Sequence, residues 1–153
     1  TRAAREKEAF SAGLKRLGLE SHIAAPLEPA ELLPAVSQGI MTVEHRAGEE
    51  GLSTLLAGIN DAAAEAAGTA ERALLRRLEG GCQVPIGAFT EAAGGQLTLR
   101  AAVVALDGSR SVRESAHGPQ EEAERVGIEL AQQLLDRGAE PILAEIRHPR
   151  SEP

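Results

Sequence analysis

Three β-rich runs separated by tight glycine turns constrain this chain more than any other feature. Gln83 to Ala92, Gln96 to Leu106 and Arg110 to Ala116 are strand candidates, and their separators, Gly94-Gly95 and Asp107-Gly108-Ser109, carry hairpin turn chemistry. Links this short join antiparallel neighbours, so the runs predict a three-stranded meander. One helix is predicted before them, with Thr69 as its cap, Glu71 in its first turn and Ala70, Ala73, Leu74 and Leu78 on one face, stopping at Gly80-Gly81. A second follows them. Pro119 opens it at the first position, Ala123, Val126, Gly127, Leu130, Ala131, Leu134 and Leu135 share a face, and Gly138 lies just past its end. A shorter helix begins at Pro141 with Ile142, Leu143 and Ile146 inward. The fold class expected is α+β: a three-stranded antiparallel sheet packed with about three helices, over 61–153.

The preceding residues read differently. Residues 3 to 17 predict a helix ending at Gly18, and Pro26, Pro29 and Pro34 make the next stretch a connecting region. Ile40 to Glu44 has the β-branched content of a strand, and Leu52, Leu55, Leu56 and Ile59 recur at helical spacing. This is a partial α/β segment. The alanine-dominated residues 60–68 suit either a helix or a loose link, and the domain boundary is placed there, dividing 1–60 from 61–153.

Composition excludes several kinds of chemistry. Sixteen Lys and Arg, only two of them lysine, face 23 Asp and Glu for a net charge of −7, which argues against nucleic acid as a partner. A single cysteine rules out an internal disulfide framework and any multi-cysteine metal site, and suits a reducing compartment. His22, His45, His117 and His148 lack metal-ligand spacing, so no metal is expected. Glu121, Glu122 and Glu124 belong to a solvated helix face, no acid/base pair stands out, and neither phosphate-loop nor GxSxG patterns occur. No apolar run approaches the roughly 18 residues of a membrane span, and TRAAREKEAF does not resemble a signal peptide. A soluble chain is expected, and its start at Thr1 suggests a processed or partial product.

Two residues remain of chemical interest. Cys82 follows Gly80-Gly81 at a helix end, where the partial negative charge of a helix C-terminus disfavours a thiolate. Taken alone, it reads as a small buried hydrophobe. Arg16, within GLKRLG, suits bidentate capture of a carboxylate and suits an ordinary surface position as well.

The segment LEGGCQVPIGAF (78–89) resembles the cofactor-attachment segment of porphobilinogen deaminase, or hydroxymethylbilane synthase. AGLKRLGLES (12–21), LPAVSQG (33–39), TAERALLRRLEGG (69–81) and the run from Gly118 to Arg147 match the same family in order and spacing, so the resemblance covers about 13 to 147. It implies a cytoplasmic, monomeric transferase of tetrapyrrole biosynthesis, acting on porphobilinogen and polypyrrole intermediates and joining four porphobilinogen molecules into hydroxymethylbilane with loss of ammonia. It also implies a dipyrromethane primer thioether-linked to Cys82. The electrophile in that chemistry is an azafulvene, reactive enough not to require an activated thiolate. Arg16 would hold acetate and propionate groups, and Gln38 would contact the pocket. The family's catalytic aspartate and most of its cationic clamp have no counterpart here, so no catalytic residue is assigned and the missing N-terminal domains become the expected partners. By the family's architecture, 1–60 derives from the second and first domains and 61–153 is the cofactor-attachment domain. Ser37 replaces a glycine of the family's LPAVGQG, and His45 stands where a cysteine is often found. The rival reading is a noncatalytic remnant or stand-alone binding domain that keeps the fold.

Overall fold

The computed structural model describes residues 13–147 except 26 and 80–83, and excludes the side chain of Ile146. The helix expected over 3 to 17 is represented by a helical turn at 13–16, its earlier part lying outside the described residues. After a single turn at Glu20–His22 the chain runs irregularly to helix α1, Glu50–Ala57. The four positions expected at helical spacing, Leu52, Leu55, Leu56 and Ile59, span this helix and its end.

The strand expected at Ile40 to Glu44 does not form: these residues join no ladder. Their β-branched side chains favour a strand only where a neighbouring strand supplies hydrogen bonds and packing, and among the described residues none lies alongside. Met41 is accordingly 98% exposed.

Helix α2 spans Ala62–Arg77 and starts well before Thr69. Asp61 is its cap, its Oδ1 accepting from the amides of Ala63 (3.0 Å) and Ala64 (2.9 Å). Alanine is the best helix former, so once Asp61 satisfies the first amides the alanine run propagates without a break. Thr69 is therefore interior, and Glu71 is not a first-turn residue.

The meander forms as expected, with β1 Ile86–Ala93, β2 Gln96–Val104 and β3 Ser111–Pro119 in the order β1-β2-β3. Register places Ile86 against Val103, Ala88 against Ala101, Thr90 against Leu99, and Leu99 against Ala116. These residues share the face that meets the helices. Pro119 does not open a helix. It ends β3 opposite Gln96, where its missing N–H costs the ladder little, and a turn at Gln120–Glu122 leads into α3, Ala123–Leu134. Gly138, at φ +98, lies in the wide turn Leu135–Ala139 between α3 and α4, Glu140–Arg147.

Leu74, Leu78, Leu97, Leu99, Val103, Val126, Leu130, Leu134 and Leu143 are fully buried in one core between the helices and the sheet. Helices α2 and α3 nearly touch: a Cβ at Gly127 would overlap the Ala70 carbonyl oxygen and lie 2.9 Å from Ala73 Cβ. Leu130→Ala is expected to cost about 2–5 kcal/mol in urea unfolding. Gly127→Val should destabilise comparably, because the helices cannot separate without opening the core. A midpoint unchanged in both variants would show that this crossing does not support the fold.

Candidate functional site

The segment from Leu33 to Ile40 runs across the free edge of β1 and onto α2. Ala35 bridges Gly87, and the Ala88 amide donates to the Pro34 carbonyl at 2.9 Å. Gly87 permits this approach, since a Cβ there would meet Leu33 Cβ at 2.9 Å and the Leu33 carbonyl oxygen at 3.0 Å. The crossing also covers part of an edge that would otherwise present unpaired backbone groups. Further along, Ile40 Cδ1 sits 3.4 Å from where a Gly68 Cβ would be.

Between these contacts lies a buried carboxylate. Glu71 is only 4% exposed, and its Oε2 accepts from the Ser37 amide at 2.6 Å, with Ser37 at φ +62. Burial pushes the Glu71 carboxyl above the ordinary glutamate value. The Ser37 amide, Thr90 and the neighbouring Arg72 charge oppose that rise without cancelling it. The Thr90 hydroxyl lies near the carboxylate without completing a hydrogen bond, and the Ser37 hydroxyl is likewise buried and unpaired among the described residues. Residue-by-residue reading missed this site because Glu71 looks like a helix-dipole residue when the helix is taken to begin at Thr69. The Asp61-Ala pattern was the available signal.

Of the residues singled out in the sequence, Gln38 belongs to this crossing. Its Oε1 accepts from the Ala35 amide at 3.2 Å, which closes the turn and leaves its amide nitrogen free for other work. Arg16 lies in the helical turn at 13–16, exposed and with no ion-pair partner among the described residues. Cys82 lies outside the described residues. The chain that leads to it is described on both sides. Glu79, at φ +51, pairs with Arg147 of α4 at 3.6 Å, and Arg147 also donates to the Leu78 carbonyl at the end of α2. Beyond it, the Ile86 amide donates to the Val84 carbonyl at 2.8 Å. Among the described residues no hydrogen bond or ion pair joins Arg16 to Gln38.

On the sheet face opposite the helices, Arg100, Arg113 and Ser115 line a cleft of about 280 Å³ against Pro29, Ala30 and Leu33. Arg100 is paired with Glu91. Among the described residues, no group of three or more His, Cys, Asp or Glu is placed to hold a metal ion.

Two family models match the chain. Residues 66–136 match the one described as "Porphobilinogen deaminase, C-terminal domain", and residues 10–54 the one described as "Porphobilinogen deaminase, dipyromethane cofactor binding domain". Together they cover about three quarters of the chain, in the order expected from the motifs. The chain belongs to the porphobilinogen deaminase family.

Membership associates the chain with tetrapyrrole biosynthesis, a transferase family and a dipyrromethane cofactor. The first match takes in most of α2, the sheet and α3, together with Cys82 and Glu71, and the second takes in Arg16, Ser37 and Gln38. The hydrogen bond from Ser37 to Glu71 therefore joins the two matched stretches. The chain's own groups suit a carboxylate-bearing pyrrole: an exposed guanidinium at Arg16 and a free amide nitrogen at Gln38 are both donors to such groups. Because Arg16 is exposed and makes no ion pair among the described residues, Arg16→Ala should leave the unfolding free energy within about 0.5 kcal/mol of the parent in urea. A larger loss would assign the arginine to the fold rather than to a ligand.

Proposed function

We propose that this chain supplies the cofactor-bearing portion of a hydroxymethylbilane synthase, which joins four porphobilinogen molecules head to tail and releases ammonia at each addition. The observation that carries the reading is the ordered pair of family matches, with the cysteine of LEGGCQVPIGAF inside the C-terminal one. Cys82 is the attachment point of the dipyrromethane primer through a thioether, and the bound primer supplies the growing end to which pyrroles are added. Arg16 binds its carboxylates, with Gln38 a lesser polar contact. Residues 61–153 form the attachment domain, and 1–60 belong with the family's other two domains.

Turnover needs those other domains. The family's catalytic aspartate matches no residue here, and a chain of net charge −7 repels the many carboxylates of a polypyrrole unless cations are supplied from elsewhere. Exposed apolar residues support the same dependence. Leu55, on α1, is 71% exposed and Ile59, just past its end, 73%, an apolar surface suited to packing against the remaining domains. Among the described residues no helix is long and apolar enough to cross a membrane, and the proposed location is the cytoplasm.

Intact-mass spectrometry tests the assignment. The isolated 153-residue chain should have the unmodified polypeptide mass and make no hydroxymethylbilane from porphobilinogen. A complete enzyme containing this segment should carry an adduct that disappears in Cys82→Ser. An adduct that survives Cys82→Ser would overturn the attachment site. Turnover by the isolated chain would overturn the dependence on other domains.

A further inference from the structure

We propose that Glu71 is a proton-controlled clamp on the Leu33–Ile40 crossing, holding it most tightly against α2 and β1 when the carboxyl is neutral and loosening it on ionisation. The proposal goes beyond the enzymatic reading and does not depend on it. Its basis is geometric. A carboxyl 4% exposed is covered by the crossing, receives one hydrogen bond from it at 2.6 Å, and has no cation against it in an ion pair among the described residues.

A buried anion here has exchanged a full hydration shell for one short amide bond and the lesser help of Thr90 and the Arg72 charge, and the desolvation cost exceeds that return. Undocking the crossing would readmit water to the carboxylate. The groups acting on Glu71 from each side are few: Ser37 from the crossing, Thr90 from β1, and from its own helix Arg72, the one charge among its principal influences and itself exposed. The neutral acid is better accommodated. Its carbonyl oxygen still accepts from the Ser37 amide, and its O–H can donate to the nearby Thr90 hydroxyl, a buried oxygen that otherwise lacks a partner.

Linkage fixes the sign. The docked state holds the proton more tightly than an undocked state in which Glu71 is solvated near its ordinary value of 4.5. The clamp's contribution is therefore fully present below that value and is lost as pH rises through the docked value. Because Gln38 follows Ser37 directly, loosening the crossing also frees the turn that carries Gln38.

Hydrogen exchange of the Ala88 amide reads docking locally, because this edge amide donates across the crossing to Pro34. In the full chain, protection at Ala88, corrected for intrinsic exchange, should fall by at least about threefold between pH 5 and pH 8. The Leu78 amide, bonded to the Leu74 carbonyl, should not follow it. Glu71→Gln, which keeps the acceptor and cannot ionise, should hold Ala88 protected at both pH values. Gly87→Val, which blocks the approach of Leu33 sterically, should expose Ala88 at both. Equal protection of the parent at the two pH values, a fall of the same size in Glu71→Gln, or an Ala88 amide unaffected by Gly87→Val would each overturn the clamp.

Discussion

The close crossing of α2 on α3 is the constraint on which the rest of the structure depends. Gly127 lies against Ala70 and Ala73, so the two helices pack too closely to admit even a single methyl group between them. That proximity lets Leu74 and Leu78 from one helix and Val126, Leu130 and Leu134 from the other reach the same sheet face together. The buried interior that results is where burial of apolar surface outweighs lost chain entropy. A Cβ at Gly118 would similarly lie 2.6 Å from Val126 Cγ2, so small residues also set the distance between α3 and β3.

The helices being fixed in this way, α2 presents its remaining side to residues 33–40. Gly68 and Glu71 sit on that side, one meeting Ile40 and the other Ser37. The crossing therefore combines a close apolar contact with a buried carboxylate, and Gly87 supplies the third point by letting the Leu33–Pro34 backbone reach β1. Few of its polar groups are spare: Pro34 and Ala35 bond to β1 or to Gln38, and Ser37 to Glu71. By contrast, the residues after Ile40 have no such support. Met41, Val43, Leu55 and Ile59 remain exposed.

The C-terminal fold was legible from residue patterns because its signals are local and agree with one another. Glycine turns at 94–95 and near 108 fixed the meander, Gly138 ended a helix through its positive φ, and the leucine stripe from Val126 to Leu134 named its buried face. Where local signals competed, the reading erred. Pro119 has the φ of a helix start and of a strand end alike, and the ladder with Gln96 decided for the strand. Thr69 is a plausible cap, but Asp61 is a better one upstream of an uninterrupted alanine run.

The sequence by itself determined the family and the α+β class, because motif order, turn residues and apolar periodicity are all written in neighbouring positions. It marked Cys82 and Arg16 as chemically interesting by their placement, but gave them, and Gln38, a specific role only through the family resemblance, since a thiol, a guanidinium and an amide carry no local mark of a particular ligand. Only the tertiary structure decided that Glu71 is buried under Ser37 and that Ile40 to Glu44 pair with no strand. Both outcomes depend on residues far apart in the chain. A carboxylate's burial and a strand's existence are properties of what packs alongside, and no single stretch of sequence contains its own neighbour.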